Sequence, residues 1–289
     1  MIRIVLRGLP LLVLAGVLAG CGDDDVSAPA EPGGDDRLQM PLAVGNRWVQ
    51  RVVVTAGDAF DLDNESFGSA VATARDAFDL DNESLGSAVA GSGADTTTVW
   101  STLTGTEERH DSVYFVQSDS SETGVTTSYL RQSGSELYTE FSIPAPVDVE
   151  VARRVVDMIE RTMPWKVCQF GAASGTEWRL GAIDTTLVLQ GSAYDVRFDV
   201  VASSRGVSPI TVPAGSWPEA QIFRLHLSGS AGIVGFPAAT QSSYQDVWFV
   251  DGVGVVKQHN VDSFDSPQGS FTIESTGELI EFQVQTGQP

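Results

Sequence analysis

Between Asp195 and Val200 the chain alternates strictly, with Asp195, Arg197 and Asp199 set against Val196, Phe198 and Val200. Successive side chains of a strand point to opposite faces, so this pattern buries one face of a sheet and wets the other. Comparable period-2 runs begin with Trp48 to Val54, where Trp48, Gln50, Val52 and Val54 alternate with Val49, Arg51 and Val53. They recur at Thr96–Thr104, Ser112–Ser118, Thr126–Gln132, Glu136–Ile143, Thr185–Gly191, Tyr194–Val201 and Ala220–Ser228. Four more follow at Tyr244–Val250, Gly254–His259, Ser270–Ser275 and Glu278–Gln285. Gly, Ser, Asn and Asp fill the gaps, as hairpin turns require. Twelve short strands at hairpin spacing predict a mainly β fold: a curved antiparallel sheet, half-barrel, barrel-like domain or sandwich.

One stretch has a different period. From Pro146 to Met163, Val151, Val155, Ile159 and Met163 fall four residues apart, with Ala152 and Val156 beside them. Arg153, Arg154, Asp157, Glu160 and Arg161 take the remaining positions, which predicts one amphipathic helix ended by Pro164. In a β chain such a helix covers an open face or edge of the sheet, or presents itself to a partner.

Composition narrows the function classes. The 289 residues hold 17 basic and 38 acidic side chains, a net charge of −21, which repels nucleic acid and anionic lipid head groups alike. Two cysteines, Cys21 and Cys168, exclude a disulfide framework and a cysteine-rich zinc module.

The first of those cysteines ends a distinctive segment. Arg3 and Arg7 form a positive n-region and Leu9 to Leu18 an apolar stretch of signal-peptide length, too short for a membrane-spanning helix of about 20 residues. Leu18-Ala19-Gly20-Cys21 resembles the bacterial lipobox, in which the cysteine is acylated and becomes the new N-terminus. The expected organisation is therefore a signal peptide over 1–20, lipidation at Cys21 and a flexible acidic tether over 21–37. A β-rich domain over 38–289 follows. The tether is acidic, rich in Pro and Gly and poor in apolar residues, so it cannot bury enough surface to fold. The Asp23-Asp24-Asp25 run resembles acidic sorting signals that send some lipoproteins to the cell surface; a solvated tether is the alternative.

The region 58–93 is a tandem duplication. DAFDLDNESFGSAVATAR is followed by DAFDLDNESLGSAVAGSG, with 14 of 18 positions identical. Two units are too few for a solenoid, so the expectation is a loop insertion between two strands. Asp61, Asp63 and Glu65, with Asp79, Asp81 and Glu83, alternate like the start of a calcium loop. The EF-hand pattern then requires Gly at position six and Glu at position twelve, where this chain has Ser66 or Ser84 and Ala72 or Ala90. The expectation is a solvated acidic loop with no metal site.

Sequence signatures of catalysis are missing: no G-x-S-x-G, H-E-x-x-H, G-x-x-x-x-G-K or G-x-G-x-x-G occurs. His110, His226 and His259 are scattered. His110 adjoins Asp111 in a polar turn, and His226 shares the outward face of its strand with Arg224, opposite Phe223, Leu225 and Leu227. Cys168, beside the apolar start Trp165-Lys166-Val167, reads as a buried small hydrophobe rather than a nucleophile. The expectation is a protein that is not an enzyme and uses no cofactor.

Three motifs carry a family resemblance. Pro41-Leu42-Ala43-Val44-Gly45-Asn46-Arg47-Trp48 resembles the "PL-x-VGN-x-W" opening of a group of largely uncharacterised bacterial envelope lipoproteins. Val212-Pro213-Ala214-Gly215-Ser216-Trp217 resembles their "VPAG" turn, and Asp246 to Lys257 their "W-Y-x-x-GVG-x-V-K" strand and turn. The resemblance implies a curved antiparallel sheet somewhat like the half-barrels of lipoprotein carriers, and it brings no catalytic residue. With the lipobox it gives the functional expectation: a lipid-anchored envelope protein in the outer membrane, on its periplasmic face or at the cell surface. Its partners are the membrane, through acyl chains, and an apolar small molecule or another envelope protein. An apolar concave sheet face would do the binding, with Trp48, Trp100, Trp178, Trp217 and Trp248 available to line it. A surface-exposed structural or adhesion module and a hydrolase with a dispersed site are the competing readings.

Overall fold

A computed structural model describes residues 40–56, 95–122, 124–142, 150–189, 191–266 and 269–284. Its strands are β1 (Arg47–Ala56), β2 (Asp95–Arg109), β3 (Ser112–Ser121), β4 (Gly124–Ser133), β5 (Glu136–Phe141) and β6 (Trp165–Gln169). β7 (Glu177–Leu189), β8 (Ser192–Val212), β9 (Gly215–Ile233), β10 (Ala239–Val250), β11 (Gly254–Ser266) and β12 (Gly269–Gln283) follow. One helix, α1 (Glu150–Glu160), joins β5 to β6. All twelve strands form one antiparallel sheet in the order β6-β5-β4-β3-β2-β1-β12-β11-β10-β9-β8-β7, curled into a nearly closed barrel.

The expected mainly β, barrel-like class with one helix is therefore observed. Several expected boundaries are corrected. Ser270–Ser275 and Glu278–Gln285 are one strand, β12, because Gly277 continues the ladder between Val52 and Gln258 instead of breaking it. Tyr194–Val201 is the first part of a 21-residue strand, which passes polar Ser203-Ser204-Arg205 and accommodates Gly206 and Pro209 at register shifts. β6, of which the sequence showed only the start, is five residues long. The described helix begins at Glu150, and the signal segment, Cys21, the tether and the duplicated units 58–93 lie outside the described residues.

β1 and β12 seal the barrel on one side by a ladder running from Arg47 opposite Gln283 to Ala56 opposite Ile273. The opposite seam lies between edge strands β6 and β7, where side chains replace the ladder. Trp178 Nε1 donates to the Lys166 carbonyl at 2.6 Å, and Lys166 Nζ lies 5.5 Å from the Trp178 ring centroid. α1 packs on β7, burying Val155, Val156 and Ile159 while Arg153, Arg154 and Asp157 face outward. Just beyond it, Thr162 meets Gly181, where a Cβ would stand 2.7 Å from the Thr162 Oγ1. Thus the helix covers a sheet edge, which would otherwise present unpaired backbone groups.

The lower rim holds the segment from Met40 into β1, the Pro213-Ala214 turn and the 251–253 turn. Here the β8–β9 hairpin folds across, and Ala214 N donates to the Leu279 carbonyl at 3.0 Å. Trp48, Val212, Ala220, Val250, Val253, Val256 and Leu279 fill this end. Trp48 Nε1 donates to the Val253 carbonyl at 2.6 Å. Gly254 makes that possible twice over, with φ at 95° and a hypothetical Cβ only 3.3 Å from the indole. The β1–β2 connection leaves from the upper rim.

Candidate functional site

The concave wall has two chemistries. Leu130, Leu137, Trp165, Val167, Val196, Phe198, Val200, Phe223, Leu225 and Leu227 form an apolar core drawn mainly from β4 to β9. On β10, β11, β12 and β1 the same inward face carries Ser243, Gln245, Gln258, Asn260, Asp262, Ser275 and Gln50, all buried. The change falls between neighbouring strands, since Ser243 lies opposite Leu227 and Gln245 opposite Leu225. The expected apolar concave face is thus corrected: it is apolar on one flank and polar on the other.

The five tryptophans do not line one face either. Trp48 is at the lower end and Trp178 at the seam, while Trp217 lies 6.3 Å from Phe282 and Trp248 lies 5.9 Å from the Lys257 ammonium. Trp100 is half-buried on β2, its carbonyl accepting from Ser120 at 3.2 Å.

A relay of amides crosses the polar wall. Gln245 Nε2 donates to Gln258 Oε1 at 3.0 Å, and Gln258 Nε2 donates to Gln50 Oε1 at 2.9 Å. The second bond spans from β11 to β1 over the intervening β12. Gly277 leaves the room, because a Cβ there would stand 3.4 Å from Gln50 Oε1 and 4.0 Å from the Gln258 Cβ. Nearer the upper rim, Asn260 Nδ2 donates to Ser275 Oγ at 3.0 Å. Two positions further along β11, Asp262 accepts from the Ser243 hydroxyl.

Three polar atoms on this wall have no hydrogen-bond partner: Gln50 Nε2, Asn260 Oδ1 and Asp262 Oδ1. Each orphaned buried group costs roughly 1–3 kcal/mol, so three on one face amount to a sizeable unmet demand. Burial raises the Asp262 carboxyl above the ordinary carboxylate value, against a smaller opposing pull from the Ser243 hydroxyl.

A second buried carboxyl lies round the wall on β3. Asp119 is 5% exposed and stands opposite Ser101 on β2. Loss of solvent raises its pKa to about 8, although the Ser101 hydroxyl and the Gln117 amide, 2.8 Å from both carboxylate oxygens, pull it down. At neutral pH this group is therefore mostly the acid.

The histidines sit on the convex side, apart from one another. His110 and Asp111 form the β2–β3 turn with φ of 48° and 56°, and His110 Nε2 is 3.0 Å from Glu140. His226 Nε2 lies 3.3 Å from Ser242 Oγ, and His259 Nε2 lies 2.8 Å from Glu274. Among the described residues none of the three arrangements joins a histidine to both a hydroxyl and a carboxylate, as a nucleophilic triad requires. Cys168 is buried in the apolar core, and burial pushes its thiol up. Among the described residues no three His, Cys, Asp or Glu side chains are placed to hold a metal ion. The calcium-loop candidates Asp61, Asp63, Glu65, Asp79, Asp81 and Glu83, and the lipidation site Cys21, lie outside the described residues. A hollow of about 370 Å³ opens at the upper end of β10–β12, lined by residues that include Ser263, Phe264, Asp265 and Thr272.

Sequence reasoning passed over the polar wall because its residues look like solvent-facing ones. Gln258-His259-Asn260-Val261-Asp262 shows little apolar alternation, so the expected strand stopped at His259. Parity was the available signal: Phe249 and Val247 face inward, and stepping back by two reaches Gln245 and Ser243.

No family model matches the sequence, and no curated protein matches it. Among solved structures the chain is similar to a crystal structure from Parabacteroides distasonis ATCC 8503, provisionally described as a lipoprotein. The TM-score is 0.39 and the identity 10%, over 86% of this chain and 100% of that one.

Proposed function

We propose that the chain is a non-catalytic lipoprotein of the bacterial cell envelope that binds a small molecule on the polar flank of its barrel interior. Acyl chains on Cys21 hold it to the outer membrane, residues 21–37 tether it, and residues 38–289 form one β domain. The lipobox-like Leu18-Ala19-Gly20-Cys21 supports the anchor. The binding role is carried by one observation: Gln50 Nε2, Asn260 Oδ1 and Asp262 Oδ1 are each buried on the concave wall without a partner. A module serving only as structure gains nothing from such groups, since apolar residues of similar volume would fill the wall at lower cost. A ligand carrying both donors and acceptors satisfies them.

Two experiments test the two halves. Labelling cells with an alkynyl fatty acid should mark the wild type and leave Cys21→Ser unmarked; continued labelling of Cys21→Ser refutes the anchor. For binding, the full chain is extracted in mild detergent and the small molecules it releases on denaturation are identified by mass spectrometry. A species released by the wild type and missing from Asn260→Leu is the expected result. Identical release from both refutes binding at this wall.

A further inference from the structure

We infer that the upper part of the polar wall binds a small protonated amine, seated between Asp262 and Asn260. This rests on the binding reading above and goes on to state the charge and donor pattern of the ligand.

Asp262 and Asn260 are two apart on β11, so both side chains point into the barrel from the same face. Two residues along a strand are separated by roughly 6.5–7 Å, within which both side chains can reach one nitrogen about 2.8–3.0 Å from each oxygen. Each residue already makes one hydrogen bond along the wall, the two of opposite sense. Asp262 accepts from Ser243 and Asn260 donates to Ser275, while Asp262 Oδ1 and Asn260 Oδ1, both acceptors, remain unmatched. The pair therefore calls for a group with at least two donors. A hydroxyl offers one hydrogen; an ammonium offers three.

Charge decides between an ammonium and a neutral amide. Asp262 and Asn260 are each 8% exposed, and the buried polar residues among those described include no Lys, Arg or His. Among the described residues no buried side-chain cation shares this wall to balance Asp262, and a buried carboxylate is costly without a charged partner. A bare metal ion fits poorly, because the described residues bring no three acidic, His or Cys ligands together. Two strands along the same inner face, Leu227 and Leu225 lie beside Ser243 and Gln245, the β10 neighbours of Asp262 and Asn260, so a short apolar tail on the amine has a surface to lie against. The residual exposure, with Asp262 four residues from the end of β11 at Ser266, leaves the pair within reach of the upper rim.

The test uses the full chain in detergent with 0.5 M salt, which screens surface carboxylates whose attraction for any amine would otherwise intervene. The probe is 4,4,4-trifluorobutylamine, followed by ¹⁹F NMR line broadening, with 4,4,4-trifluorobutanol as its neutral counterpart. The expected result is saturable binding of the amine, at least tenfold weaker binding of the alcohol, and at least a tenfold loss of amine affinity in Asp262→Asn. That variant keeps the shape of the side chain; Asn260→Leu is the second variant, and melting curves establish that both are folded. If amine and alcohol bind equally and Asn260→Leu weakens both, the wall binds ligands but the inference about charge falls. If the amine binds wild type and both variants alike, contact is at the surface and the inference falls. If neither probe binds, the inference falls together with the binding reading that supports it.

Discussion

Replacing Asp119 by Asn should reverse its effect on stability between acid and alkaline pH. In the folded chain the carboxyl titrates at about 8, against an ordinary value of 3.8. Between those values the folded state holds a proton that the unfolded state has released. The stability contributed by the group is then full below pH 4, falls as pH rises, and levels off above pH 8. At about 1.4 kcal/mol for each pH unit of that span, the loss approaches about 6 kcal/mol as an upper bound. With an m-value of roughly 3 kcal/mol/M, the wild-type urea midpoint should drop by up to about 2 M between pH 4.5 and 8.5. Asp119→Asn removes the titration while retaining size and hydrogen-bonding capacity towards Gln117 and Ser101. Its midpoint should change far less over the same range, and at pH 8.5 it should be the more stable protein. The remaining acidic groups titrate in both chains, so the difference between the two isolates Asp119. Parallel midpoint curves for wild type and variant across pH 4.5–8.5 would refute the reasoning.

Three further outcomes follow from the packing. Gly232→Ala places a Cβ 2.8 Å from the Ala238 Cα, a backbone atom that cannot swing aside, so the β9–β10 connection must shift at a cost of about 1–3 kcal/mol, read as a lowered melting temperature. Trp48→Phe leaves the Val253 carbonyl without the 2.6 Å indole donor and should cost about 1–3 kcal/mol in urea unfolding. Cys168, buried and with its thiol pushed up by burial, should not react with Ellman's reagent in the native chain and should react once the chain is unfolded in urea.

The β architecture was legible because period-2 alternation follows directly from the geometry of a strand. Twelve runs were visible and the described residues form twelve strands, but the correspondence hides two compensating differences. One run too many came from dividing β12 at Gly277, and one too few from leaving β6 as a bare start at Trp165-Lys166-Val167. Both arise where local pattern is overridden by the neighbours across the sheet. Gly277 looks like a turn residue, yet it is held extended by ladders on both sides and is small because two glutamines meet above it. The interior site was illegible for a related reason: a polar residue facing a partly polar interior has the same sequence signature as one facing water. Only the closing of β1 onto β12 places Gln50 beside Gln258, and no local window of sequence contains both.

That closure has a consequence for how the chain is made. Ten of the eleven pairs of consecutive strands are hydrogen-bonded neighbours and can zip up as hairpins while the chain emerges, with β6 to β7 the one interrupted step. The first strand, however, waits for the last: Arg47 finds its partner only when Gln283 arrives. Until then β1 and β12 are both open edges, and the amide relay, the Trp48 bond to Val253 and the filled lower end do not exist. A chain cut short before β12 therefore loses more than a strand. The sheet then falls into two ribbons, β6 to β1 and β11 to β7, with their inner walls facing water and the margins at β1 and β11 free to pair with another copy, so the arrival of β12 is itself the step that separates a rolled barrel from an aggregate.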